Sequence, residues 1–163
     1  MIKMEKQQIK QIFRVVCVVE NLSETLENWK RMVRFDLGSI KMGKSDESDK
    51  HIYQGKEASC SYEYADFDLG GVEIRLVEPK HKKGGDPYSD ALAKKGQGFH
   101  HLSVCVEDRE ALIKKYEELG IEPISKEESK NGDVYMIYDF EQDAGLSISL
   151  CDKMTGPCAR EEI

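Results

Sequence analysis

The chain has 163 residues, 39% of them apolar and 34% charged, with a net charge of −7. An acidic surface of this kind argues against a nucleic-acid binder, which needs basic residues to neutralise phosphates. No apolar run reaches membrane-spanning length, and the opening Met1-Ile2-Lys3-Met4-Glu5-Lys6 has no apolar signal core, so the expected location is the cytoplasm. The five cysteines (17, 60, 105, 151 and 158) lack CxxC spacing and are expected to be reduced.

Residues 1–10 are polar, and 11–20 carry the β-branched, apolar composition of a strand. Asn21 then fits a helix N-cap with Glu24 three positions on, and Leu22, Leu26, Trp29 and Val33 trace one helical face ending near Gly38. Residues 43–56 are small and charged and are expected to form a mobile loop. Two strands follow over 57–68 and 71–78, joined by a tight turn at Gly70-Gly71. Pro79 opens a Lys- and Gly-rich linker with a short helix over Tyr88 to Lys95. A strand over 99–107 comes next, then a helix capped by Asp108, carrying Leu112, Tyr116 and Leu119 and stopped by Gly120. Strands over 121–128, 133–140 and 145–151 complete the pattern.

The order repeats. Arg14-Val15-Val16-Cys17-Val18-Val19 leads into a helix, and eighty-seven positions later so does His101-Leu102-Ser103-Val104-Cys105-Val106. Asp66-Phe67-Asp68 and Val72-Glu73-Ile74-Arg75-Leu76 match Asp139-Phe140-Glu141 and Leu146-Ser147-Ile148-Ser149-Leu150. The fold class is therefore α+β: two paired β-α-β-β-β modules forming a cupped mixed sheet with the helices outside. The first module spans 9–78, the linker 79–97, the second module 98–152 and the tail 153–163, all within a single domain. The first module's helix is expected to be about five residues longer than the second's.

Alternation along the strands defines a second, semi-polar sheet face. It leaves Arg14, Val16 and Val18 on the first strand, and Glu73, Arg75 and Val77 on the strand after the turn. It also leaves His101, Ser103 and Cys105, then Ser147, Ser149 and Cys151. His100 falls on the helix-packed side. Two guanidinium groups, an imidazole and a hydroxyl converging in a cup suit a carboxylate or phosphate. Glu63, Glu73, Glu141 and Tyr138 are equal candidates for a base.

These segments, with Gly98-Phe99-His100-His101 and Tyr138-Asp139-Phe140, closely resemble the vicinal oxygen chelate superfamily: glyoxalase I, methylmalonyl-CoA epimerase, extradiol dioxygenases and bleomycin-resistance proteins. The approach through Leu92 and Gly96-Gln97-Gly98 looks most like the epimerase-type branch. The resemblance covers about residues 9 to 152. It implies a metal site with one ligand on each of four strands, usually His or Gln, then Glu, His and Glu. Those positions hold Arg14, Arg75, His101 and Ser149 here, and arginine cannot ligate a metal.

The resemblance therefore implies an epimerase- or glyoxalase-like protein that binds a small anionic metabolite, a carboxylate or acyl-CoA, with Arg14, Arg75, His101, Ser149 and Glu73 lining the site. His101 would be the acid/base or orienting group, and no cofactor is expected. One alternative is a non-catalytic sequestering protein of the bleomycin-resistance type. A third reading keeps a divalent metal on His101 and a shifted carboxylate such as Glu73. The family further implies a homodimer, and neither nucleic acid nor membrane is an expected partner.

Overall fold

The structure, a computed structural model, describes residues 6–150. The tail from 153, and Cys151 with the last residue of the expected eighth strand, lie outside the described residues. Strand β1 (Ile9–Val18) leads to helix α1 (Leu22–Met32), whose N-cap Asn21 accepts the Glu24 amide at 2.9 Å. After a 3-10 turn at Leu37–Ser39 come β2 (Lys41–Lys44), β3 (Lys50–Tyr53), β4 (Lys56–Glu57), β5 (Tyr62–Leu69) and β6 (Val72–Pro79). The linker contributes α2 (Pro87–Lys95). The second half supplies β7 (Gly98–Val106), α3 (Arg109–Glu118), β8 (Ser125–Glu128), β9 (Val134–Tyr138), α4 (Glu141–Ala144) and β10 (Ser147–Leu150). Among the described residues no helix is long and apolar enough to cross a membrane.

All ten strands form one mixed sheet in the order β2-β5-β6-β1-β7-β10-β9-β8-β3-β4. The two halves meet where β1 and β7 pair antiparallel, and the repeat is exact in register. Arg14 faces Glu73 and Val16 faces Arg75 in the parallel β1–β6 pair; His101 faces Ser147 and Ser103 faces Ser149 in the parallel β7–β10 pair. Gly70 and Gly71 turn β5 into β6 with φ of 67° and 90°, the left-handed pair that a two-residue hairpin requires.

Two hydrophobic cores lie on the convex face. Helix α1 lays Leu22 and Leu26 on Phe67, Leu76 and Ala65, with Trp29 against the Phe67 ring. Helix α3 lays Leu112 and Tyr116 on Val104, Val106, Tyr138 and Leu150. Each large apolar side chain so buried contributes about 1.5–3 kcal/mol. The linker helix takes the opposite side: Tyr88 and Leu92 pack with Val16, Val18, Tyr62 and Val77 on the concave face. Asp86 holds its start, accepting the Tyr88 and Ser89 amides at 2.9 Å each.

Four expectations need correction. The charged stretch 43–56 folds into strands: hairpin β3–β4 crosses from the first half to pair antiparallel with β8, Lys50 opposite Glu128 and Tyr53 opposite Ser125. Backbone hydrogen bonding to β8, together with burial of His51 and Tyr53, overrides the polar composition. Helix α1 stops at Met32 rather than near Gly38, so α1 and α3, at 11 and 10 residues, are nearly equal. His100 departs from simple alternation because β7 carries it as an extra residue between Phe99 and His101, which face Cys17 and Val16. This bulge brings it to the concave side, against Tyr88. Strand β1 carries the matching extra residue, Phe13, at the same repeat offset. Finally, Cys17 and Cys60 are free thiols but Cys105 is disulfide-bonded, unlike the reduced state expected of all five.

Candidate functional site

Arg75, Arg14, His101 and Ser149 lie on the four adjacent central strands β6, β1, β7 and β10 and face the concave side. Glu73 joins them through its place opposite Arg14. Of the other candidate bases, Glu63 pairs with Lys80, Tyr138 belongs to the convex core, and Glu141 pairs with Lys95 at a cavity that His100 also lines.

The arginines are held by carboxylates. Arg75 donates through Nε to Asp66 Oδ1 at 2.7 Å and through Nη2 to Asp66 Oδ2 at 2.8 Å, with Cζ 4.1 Å from the centre of the Tyr64 ring. Arg14 donates through Nε to Glu73 Oε2 at 2.7 Å, and its Nη2 is 3.9 Å from Asp66 Oδ2. Burial opposes the charge on Arg75, but the Asp66 fork outweighs it and holds the guanidinium above its ordinary pKa. Among the described residues, Gln11 Oε1 is the one sealed side-chain polar atom without a hydrogen bond. Nη1 of Arg14 and Nη1 of Arg75 make no hydrogen bond, and the two side chains are 14% and 17% exposed. Each guanidinium keeps an unused edge.

The second half is a chain of neutral groups. His101 and Ser149 are 0% exposed, as is Ser103. His101 Nε2 is 2.6 Å from the Tyr135 hydroxyl, which lies 3.0 Å from Ser149 Oγ and 3.1 Å from Ser103 Oγ. Ser149 Oγ also donates to Ser103 Oγ at 2.7 Å. On its other side, His101 Nδ1 is 2.7 Å from His100 Nδ1, and His100 Nε2 is 3.1 Å from the Pro87 carbonyl. Burial, then His100, Arg14 and Arg75, hold the His101 pKa well below 6.5; burial likewise lowers that of His100. Both rings are therefore neutral near pH 7.

One acceptor then fixes every proton. The Pro87 carbonyl can only accept, so His100 Nε2 donates to it and His100 Nδ1 must accept. His101 Nδ1 donates to that nitrogen, leaving His101 Nε2 to accept from the Tyr135 hydroxyl. With the Ser149 hydroxyl donating to Ser103, the Tyr135 oxygen accepts in turn from Ser103.

Asp66 and Tyr135 were not among the residues singled out from the sequence. Alternation could have found both: Asp66 shares its strand face with Tyr62 and Tyr64, and Tyr135 lies opposite in phase to Met136 and Tyr138. Further along the cup, the Tyr62 hydroxyl donates to Glu127 Oε2 at 3.1 Å, tying β5 to β8. A cavity of about 130 Å³ opens beside α2, with Tyr53, Ala91, Phe99 and Ile137 as apolar walls and His100 exposed to it.

The donor set does not fit a divalent ion. Two of the four central positions are guanidinium groups, His101 has both nitrogens engaged, and Glu73 is taken by Arg14. Among the described residues no group of three or more His, Cys, Asp or Glu side chains could hold a metal.

Several solved structures share this fold. A methylmalonyl-CoA epimerase in complex with methylmalonyl-CoA and NH4+ matches at 17% identity with a TM-score of 0.59, over 88% of this chain and 94% of that one. A hypothetical protein from Bacillus halodurans matches at 19% identity and a TM-score of 0.58, over 90% and 94%. The methylmalonyl-CoA epimerase of Mycobacterium tuberculosis matches at 17% and 0.56, over 94% and 96%. At such identities the likeness establishes the fold alone. No curated protein sequence matches the chain. The sequence profile of one family does, across residues 13–138, in accord with the paired modules and their shared cup: the chain belongs to the glyoxalase/bleomycin resistance protein/dioxygenase superfamily.

Proposed function

We propose that the concave face binds a small carboxylate-bearing metabolite, an acyl thioester of a dicarboxylic acid being the best fit, without a metal ion. The observation that carries this reading is the unused edge of each guanidinium. Arg14 and Arg75 stand where the superfamily resemblance implies metal ligands, and each keeps an Nη1 without a hydrogen bond. Fixed positive charge there can hold the same carboxylate or enolate oxygen that a cation would. Asp66 and Glu73 keep the two charges from being isolated when the site is empty. The fold likeness to an epimerase seen with methylmalonyl-CoA supports the choice of ligand class.

Thermal denaturation with malonate, methylmalonate and methylmalonyl-CoA tests the reading. A ligand at about a hundred times its dissociation constant stabilises by roughly 2.7 kcal/mol. At least one of the three should raise the melting temperature, Arg75→Ala should abolish the shift, and Arg75→Lys should restore little because a point charge lacks the bidentate fork. No shift with any of them in the wild-type protein overturns the reading.

A further inference from the structure

We propose that Tyr135 is the proton-transfer group of the cup, and that His101 and His100 behind it form a relay ending at the cavity beside the linker helix. The proposal rests on the binding reading above and adds a chemical step to it.

Three observations carry it. First, His101, Ser103 and Ser149 are fully sealed, whereas Tyr135 is only partly buried. The His101 imidazole is closed to a bound molecule, and Tyr135 is the partly open member of these four. Second, the hydrogen bonds run in one sense, from Tyr135 through His101 to His100, because the Pro87 carbonyl dictates both tautomers. Third, the far end of the chain is not closed off, since His100 lines the cavity beside Ala91 and Ile137.

The step balances without a co-reactant beyond water. The Tyr135 proton moves to His101 Nε2 as the His101 Nδ1 proton moves to His100 Nδ1 and the His100 Nε2 proton breaks from the Pro87 carbonyl and passes to water in the cavity. Three short shifts carry one net proton across, both rings end neutral, and Tyr135 becomes a phenolate. A concerted shift matters here, because a lingering imidazolium at His101 would sit in the field of Arg14 and Arg75. The Ser103 hydroxyl donates to the phenolate oxygen. The phenolate then takes a proton from the carbon between the two carbonyl groups of the bound acid. The electron pair left behind moves onto a carbonyl oxygen beside the guanidinium edges. Returning a proton to that carbon from Tyr135 regenerates the phenolate, and the three shifts, run in reverse with one proton taken back from the cavity water, restore the phenol.

Two measurements decide. In D2O, proton NMR follows loss of the α-hydrogen signal of methylmalonyl-CoA, while thermal shift with the same compound reads binding. The wild-type protein should exchange the hydrogen. Tyr135→Phe, which keeps the ring, should lower the rate at least about a hundredfold, the lower end of what a positioned acid or base supplies, and still show the ligand-induced shift. His100→Phe should slow exchange while binding persists.

Nitrogen-15 NMR of labelled histidines in the ligand-free protein should show His101 as the neutral Nδ1–H tautomer at pH 7 and His100 as Nε2–H. Binding without exchange, or Tyr135→Phe exchanging at the wild-type rate, overturns the relay and leaves the binding reading standing. If no ligand binds, the tautomers still decide: His101 charged at pH 7, or protonated on Nε2, overturns the relay.

Discussion

Asp66 is the residue on which the charge balance of the cup turns, and Asp66→Asn isolates its part. The side chain is 8% exposed, fork-bonded to Arg75 and 3.9 Å from Arg14, whose side chains are 17% and 14% exposed. Asparagine preserves the shape but removes the charge, and its amide NH2 faces a guanidinium that can only donate. Removing one partner of a buried ion pair costs about 3–5 kcal/mol. Glu73 still serves Arg14 at 2.7 Å, which puts the expected loss near the lower end, about 3 kcal/mol. In a chain of this size each kcal/mol moves the melting temperature by roughly 2–4 °C, so a fall of about 6–12 °C is expected.

Calorimetry with and without malonate is the assay. The variant should gain more from malonate than the wild-type protein does, because Arg75 has then lost its neutralising carboxylate and attracts an added one more strongly. A loss below about 1 kcal/mol, the size of an exposed pair, would refute the reasoning. So would equal malonate shifts in the two proteins.

Stability should also fall as the pH drops from 7 to 5. Burial lowers the pKa values of His51, His100 and His101 from 6.5, so the unfolded chain takes up protons that the folded chain refuses, and stability is full above pH 6.5 and lost below it. Each such group can add a slope of at most about 1.4 kcal/mol per pH unit. Glu127, raised by burial, acts in the opposite sense: its contribution is complete below its ordinary range near 4.5 and is lost as the pH rises through its folded value. Three histidines outweigh this one carboxylate, and a melting temperature that is flat or rising from pH 7 to 5 contradicts the assignment. Elemental analysis of the purified protein should find no stoichiometric zinc, nickel, cobalt or iron; near-unit metal retained through gel filtration would refute the mismatch of donors argued above.

Period-two alternation was enough to place Arg14, Arg75, His101 and Ser149 on one face, because an apolar helix-packed side fixes the phase of every other residue. It failed where the strand itself is irregular. The bulge at His100 changes phase by one residue, and no feature of Phe99-His100-His101 distinguishes it from a regular strand. Hairpin β3–β4 was invisible for a different reason. Its partner is β8, far away in sequence, so Ser45 to Lys50 reads as a solvated loop until that pairing is known. In the sequence Asp66 stands out as a mark of the repeat. The repeat then hid its role, since its register counterpart in the second half, Ile137 opposite Ser149, is apolar.

The crossing of hairpin β3–β4 onto β8 also bears on how the chain reaches its native state. Strand β3 and its partner are more than seventy residues apart along the chain, whereas β5–β6 closes through a two-residue turn. Loop closure of that span must be met before the pairing returns any energy, so the hairpin should dock late, onto a sheet already built from both halves. Elements that dock last with few contacts are commonly those that open first. Amides of Lys50–Tyr53 and Ser125–Glu128 should therefore exchange with solvent at a lower opening free energy than those of β1 and β7. Brief detachment of this strap, with the rest of the sheet intact, would remove Tyr53 from the wall of the cavity beside α2 and open that cavity to solvent.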